Sequence, residues 1–301
     1  MFFCLLLQAL CDAAIVTPGP IPEPLILQLL TASMTHTRSF QLHLRALAAL
    51  AHLLADRQNC SVILLSGGLY RIAAVMAACP DVPDIQHAAL NVCALMKMEP
   101  DTGYKKVPDA GYGSIAQAAF NTLASLPALG DVLIHRAALD ELTTIAKISS
   151  KMRDNVSNLP GLFQLIGSYM DTHATLVEML CSAQQLLVSI APSPPAQAVL
   201  STPAWLHRLK HAIACYRDSF ELQYHACTVL LALPPLSDAL AKIVLPAVIA
   251  AVQAHPQGRV QSVGYGFLVK YKHLRATFDE CEGGAEVHGI TVSCCITMYY
   301  I

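Results

Sequence analysis

His207, His211 and Cys215 are four residues apart in turn, so on a helix they share one face. Two imidazoles and a thiolate are ligands that zinc accepts, and His225 on a following helix would be a further one. Zinc sites draw on tight Cys or His pairs, however, and no Glu follows His207 as in HExxH. The plainer expectation is a helix with Cys215 in the core, flanked by its histidines, and with no metal or cofactor. Gly111-Tyr112-Gly113-Ser114-Ile115-Ala116 fits a GxGxxA dinucleotide pattern, which has meaning only between a buried strand and a helix. The preceding Tyr104 to Asp109 holds two lysines and Pro108 and reads as a loop, so the glycines are expected to turn the chain into the next helix. No GxSxG or kinase signature occurs. Asp140 and Glu141 are adjacent, so on a helix they point apart and form no acid–base dyad. The chain is expected not to be an enzyme, with no catalytic residue.

The elements that carry these residues repeat. Pro24 to Leu54, Gly67 to Met98, Leu159 to Ile190 and Thr202 to Leu233 each contain two apolar helical runs joined by a polar break, and Leu245 to Tyr271 is a shorter copy. Pro24, Gly68, Gly161, Pro203 and Pro246 open the first runs; Gln41, Gln86, Glu178, Gln223 and Gln261 begin the second. In the second copy Leu69, Ile72, Val75 and Met76 lie at helical spacing, Asp84 is a plausible N-cap, and Ile85, Ala88, Ala89 and Val92 form the next stripe. Repeats of this kind bury their apolar faces by stacking on neighbours, which predicts an all-α solenoid. Between the second and third copies, Ser114 to Leu126 and Asp131 to Ile148 read as two more helices after a loop insertion, 101–112. Gln117, Phe120 and Leu123 put the first of these in the place of a second helix.

Composition agrees with stacked helices. The 301 residues are 54% hydrophobic and only 13% charged, against about a quarter charged in ordinary soluble domains. A net charge of −2 gives no global field toward nucleic acid or anionic lipid. Local basic groups remain, around Arg208, Lys210 and Arg217 and around Lys270, Lys272 and Arg275. Eleven cysteines without a CxxC, including Cys79, Cys93, Cys181, Cys215 and Cys227 in apolar runs, predict reduced buried thiols in a cytoplasmic or nuclear chain.

The ends differ from the middle. Residues 1–23 are an apolar segment followed by a Pro-rich connector. The segment lacks the positive n-region of a signal peptide, since no Lys or Arg precedes Arg38, so secretion is not expected despite sequons at Asn59 and Asn155. No later stretch is long enough to cross a bilayer; Leu245 to Val252 comes nearest and carries Pro246. The repeats occupy 24–277, and 278–301 is a non-repeat tail, acidic and then β-branched.

Gly67-Gly68-Leu69 before a helix, Ile85-Gln86-His87-Ala88-Ala89-Leu90 with Leu95, Leu222-Gln223-Tyr224-His225-Ala226 and Val260-Gln261 together resemble the armadillo and HEAT repeat families, closer to armadillo. The resemblance implies a right-handed α-α superhelix of about five or six units, with a groove that binds extended peptides or helices. The Trp and Asn array of armadillo proteins that bind nuclear localisation signals is not supported here, because the chain has one Trp, and only Asn91 and Asn121 fall near suitable places.

The function expected is therefore a non-enzymatic scaffold that takes a partner peptide or helix in its groove. Gln86, Asn91, Gln117, Asn121, Gln184 and Gln223 are the candidate surface residues. A second expectation is a regulatory solenoid segment of a larger signalling protein, self-associating through uncapped ends. A metal protein or enzyme centred on the His207 helix is the third.

Overall fold

A computed structural model describes Pro24, Thr31 and residues 39–97, 109–126, 132–172, 177–255 and 258–274. The N-terminal segment 1–23, insertion residues 101–108 and the tail 278–301 lie outside the described residues. The chain divides into two compact units, Met1–Pro160 and Gly161–Ile301. No strand occurs among the described residues.

The first unit contains α1 (Phe40–Leu53), α2 (Arg57–Leu65), α3 (Gly68–Ala78), α4 (Pro83–Lys97), α5 (Asp109–Ser125), α6 (Val132–Ile148) and α7 (Ser150–Ser157). Helices α3 and α4 form one hairpin and α5 and α6 another. The hairpins stack in register, so α3 packs on α5 in a layer of first helices, and α1, α4 and α6 lie side by side as second helices. The short α2 packs against α3, and α7 against α6 and α5. Asp56 starts α2 by accepting from Gln58 N–H at 2.9 Å, and Ser149 starts α7 by accepting from Met152 N–H at 3.1 Å.

The second unit contains α8 (Leu162–Thr172), α9 (Val177–Ile190), α10 (Pro194–Leu200), α11 (Pro203–Cys215), α12 (Phe220–Ala232), α13 (Asp238–Ala254) and α14 (Arg259–Lys270). First helices α8, α11 and α13 form one layer; second helices α9, α12 and α14 form the other. Arg208 stitches α11 to α8: its Nε and Nη2 reach both oxygens of Asp171 at 2.9 to 3.0 Å, and its guanidinium lies 5.4 Å from the Trp205 ring.

Four sequence expectations are corrected. Helix α5 is a first helix, not a second, because its stripe of Tyr112, Ile115, Ala116, Ala119 and Leu123 is buried and it packs on α3. Asp109 to Tyr112 are its opening turn rather than loop, so both glycines of the GxGxxA pattern are helical. Pro246 does not open a helix but sits inside α13. The carbonyl that loses its helical donor belongs to Lys242, an exposed residue. The other openers fit their positions. Gly67 and Gly161 have φ of 76° and 89°, values L side chains rarely adopt, and Pro203 occupies the first turn of α11. A Cβ on Gly68 would lie 2.5 Å from the Ile63 side chain, so α2 can approach α3 only over glycine. Asp84 stands in the first turn of α4 rather than capping it.

Candidate protein-binding face

The second helices share one register. Their fourth residue or its equivalent is His43, Gln86, His135, Leu180, Gln223 or Gln261, and the first three and Gln223 are 0 to 1% exposed. The reason lies at the C-terminal end of the preceding helix, where the last carbonyls and that of the cap residue lack the helical i+4 donor. Gln223 Nε2 donates to Ile213 O at 2.6 Å and Tyr216 O at 2.9 Å. Gln86 Nε2 does the same to Met76 O at 2.9 Å and Cys79 O at 2.7 Å, while its Oε1 accepts from Thr122 Oγ1 at 2.6 Å. In the next hairpin His135 Nε2 meets Leu126 O at 3.1 Å. These polar side chains tie each second helix to the end of the first.

Five residues further on, one residue stands on each helix's outward face: Ala48, Asn91 and Asp140 in the first unit, Gln185, Thr228 and Gly266 in the second. They are exposed or half-buried, and all are short or carry an amide. Between α1 and α4 the face sinks into a depression of about 480 Å³ lined by Leu44, Leu47, Ala48, Ala51, His52, Ala88 and Asn91. In the second unit Phe220 stacks on Tyr224 with ring centres 6.3 Å apart and meets His255 edge-on at 6.0 Å. Leu231 lies so close to Gly266 that a Cβ there would be 3.3 Å from it. Lys270 Nζ donates to Leu231 O and Leu233 O, and partial burial lowers its pKa.

The six expected surface residues therefore separate. Asn91 is exposed on the second-helix face. Gln86, Gln184 and Gln223 are buried, which corrects their placement at the surface: two of them serve backbone carbonyls, and Gln184 lies inward on α9 at 1% exposure. Gln117 and Asn121 are exposed and bonded to each other at 2.9 Å, but on the first-helix layer. There they border a second depression of about 470 Å³, between α3 and α5, floored by alanines, Gly113 and Ala118 and edged by Tyr70. Gln185, Thr228 and Asp140 were not singled out from sequence. Counting five residues from Gln223 and His135 would have found the last two.

Cys215 is exposed, not core, and its Sγ lies 3.3 Å from His211 Nε2, with His207 exposed on the same helix. Among the described residues no three His, Cys, Asp or Glu side chains converge as a metal site would require. Cys60, Cys79, Cys93 and Cys227 are buried, and burial pushes the Cys227 thiol up to about 12. Arg208, from one of the basic groups, is paired with Asp171. Asn59 of the first sequon is buried, with its Nδ2 donating to Leu53 O at 3.0 Å. Among the described residues no single helix is long and apolar enough to cross a membrane.

No known family profile matches the chain, and no curated protein matches it in sequence. A solved structure does: one concerned with a phosphorylation switch that controls the interaction between cadherin and beta-catenin. It aligns at a TM-score of 0.54 and 14% identity over 92% of this chain. The likeness covers 60% of that chain. That neighbour is an armadillo-repeat solenoid, and the fold here is accordingly an all-α, armadillo-like helical repeat.

Proposed function

We propose that the chain is a non-enzymatic interaction scaffold whose second-helix faces bind a partner peptide or helix. The observation that carries this is the row of short and amide side chains along those faces. In the first unit Ala48 and Asn91 leave room for a chain laid across the helices, and Asn91 offers its amide to that chain's backbone; in the second unit, taken by itself, Thr228 and Gln185 offer the same. The alanine- and leucine-lined depression beside Asn91 would take an apolar side chain. The interaction of the structural neighbour with cadherin points to the same kind of use. Gln86 and Gln223 act from beneath, holding the helices that form the face. The test is selection of a displayed random-peptide library on the purified chain. Selected peptides should lose binding to Ala48→Arg where they use the first unit's face, or to Thr228→Arg where they use the second unit's; retention by both variants would place binding elsewhere.

A further inference from the structure

Helix α11 carries metal-ligating side chains on its outward face. His207, His211 and Cys215 are all exposed and follow one another at one-turn spacing. The last two come together: Cys215 Sγ lies 3.3 Å from His211 Nε2 and 3.8 Å from Nδ1. Zinc binds a thiolate at about 2.3 Å and an imidazole nitrogen at about 2.1 Å, so at the tetrahedral angle two such donors stand about 3.6 Å apart. The pair on α11 brackets that distance, and a small rotation of the ring or the thiol lets both meet one ion. Two donors fill half of a tetrahedral shell, and among the described residues of one chain no third His, Cys, Asp or Glu joins them. Ala204 and Ala214, exposed on the same face, leave room for a second helix to come close. Of the charged residues nearest in sequence, Lys210 is half-buried, and Arg217 and Asp218 are exposed and opposite in sign.

We infer that a second copy of this chain completes the shell: His211 and Cys215 from each of two molecules hold one zinc ion between them. Two imidazoles and two thiolates are a donor set that structural zinc accepts, and one that calcium and magnesium, which take oxygen ligands, do not favour. The ion lies on a two-fold axis, so both copies use the same patch of α11. Each thiol yields its proton to solvent as its sulfur bonds the metal, and nothing is oxidised or reduced. The inference is independent of the scaffold reading, because α11 belongs to the layer of first helices whereas the proposed binding face is built from second helices.

The test is titration of the full, reduced, metal-free chain with zinc, followed by light scattering for mass and by metal analysis for uptake. Other cysteines of the chain also bind zinc, so the reading is the difference between wild type and the single variants His211→Ala and Cys215→Ala. Wild type should take up about half an equivalent more zinc per chain than either variant, as one ion shared between two copies requires. It should pass from monomer to dimer mass as it does so, and a chelator should reverse the change. Both variants should remain monomeric, and His207→Ala should behave as wild type. Cobalt(II) in place of zinc should give the visible bands of a tetrahedral site and a near-ultraviolet thiolate band, both diminished in Cys215→Ala. Equal uptake by wild type and both variants would overturn the site. Uptake of a full equivalent without change of mass, lost in His207→Ala, would show a single-chain site and overturn the bridge. A mass that zinc leaves unchanged, or changes equally in the variants, would also overturn the bridge. Each altered residue is exposed, and circular dichroism of the variants confirms that they remain folded.

Discussion

Gln223 and Gln86 show how one amide can decide a helix pair. Each spans two carbonyls at the end of the preceding helix, at a buried or half-buried helix junction, and three of these four carbonyls also accept a backbone N–H from the turn that follows. Gln223→Ala removes two hydrogen bonds, the one to Ile213 O from a buried site, and should destabilise the second unit by about 1–3 kcal/mol, read as a lower urea midpoint. Gln117→Ala, which removes an exposed side chain, should stay within about 0.5 kcal/mol. Cys227 makes a pH-dependent contribution. Its folded thiol titrates near 12, against 9.0 for the ordinary group. Below pH 9 both folded and unfolded forms keep the proton, so pH has no effect through this group. Between 9 and 12 only the unfolded chain releases it, so stability falls with rising pH by up to about 1.4 kcal/mol per unit. Cys227→Ala should show a shallower fall over that range. In the native protein a thiol reagent should modify Cys215 well before Cys227; equal rates would contradict the burial assigned to them.

At the level of elements, glycines set how closely helices meet. Gly68 lies under Ile63, and Gly68→Ala forces an overlap that should cost about 1–3 kcal/mol. Gly113 is helical with nothing within 4 Å of an added Cβ, so Gly113→Ala should instead stabilise α5 by about 0.5–1 kcal/mol. Thermal melting of the two variants should shift in opposite directions. The long paired helices were legible in sequence, because apolar spacing reports the buried stripe whatever lies against it, whereas the short α2, α7 and α10 fall outside the apolar runs. Helix α13 was only partly so: Pro246 reads as a start signal, and nothing local shows that its missing bond falls at an exposed residue, Lys242. Helix α5 was misassigned for a related reason. Gln117 and Asn121 imitate the amides of second helices, and only the partner across the stripe, α3 rather than α4, distinguishes the layers.

For the whole molecule, repetition announced an armadillo-like fold, and the likeness to a solved solenoid at 14% identity agrees with it. The binding face was less accessible to sequence. Recurrent polar residues such as Gln86 and Gln223 look like a surface signature, yet they, like His135, reach the carbonyls at the end of the preceding helix. The residues that face outward, Ala48, Asn91, Asp140, Gln185, Thr228 and Gly266, have no common chemical type, so no repeat pattern marks them. The two layers of the first unit offer the sharpest discrimination. The measurement is the affinity of one selected peptide for Asn91→Arg and for Gln117→Arg, each against wild type. Binding through the second-helix face predicts a loss of tenfold or more in Asn91→Arg and an unchanged affinity in Gln117→Arg. The reverse pattern would contradict it and move the partner to the alanine-floored depression between α3 and α5.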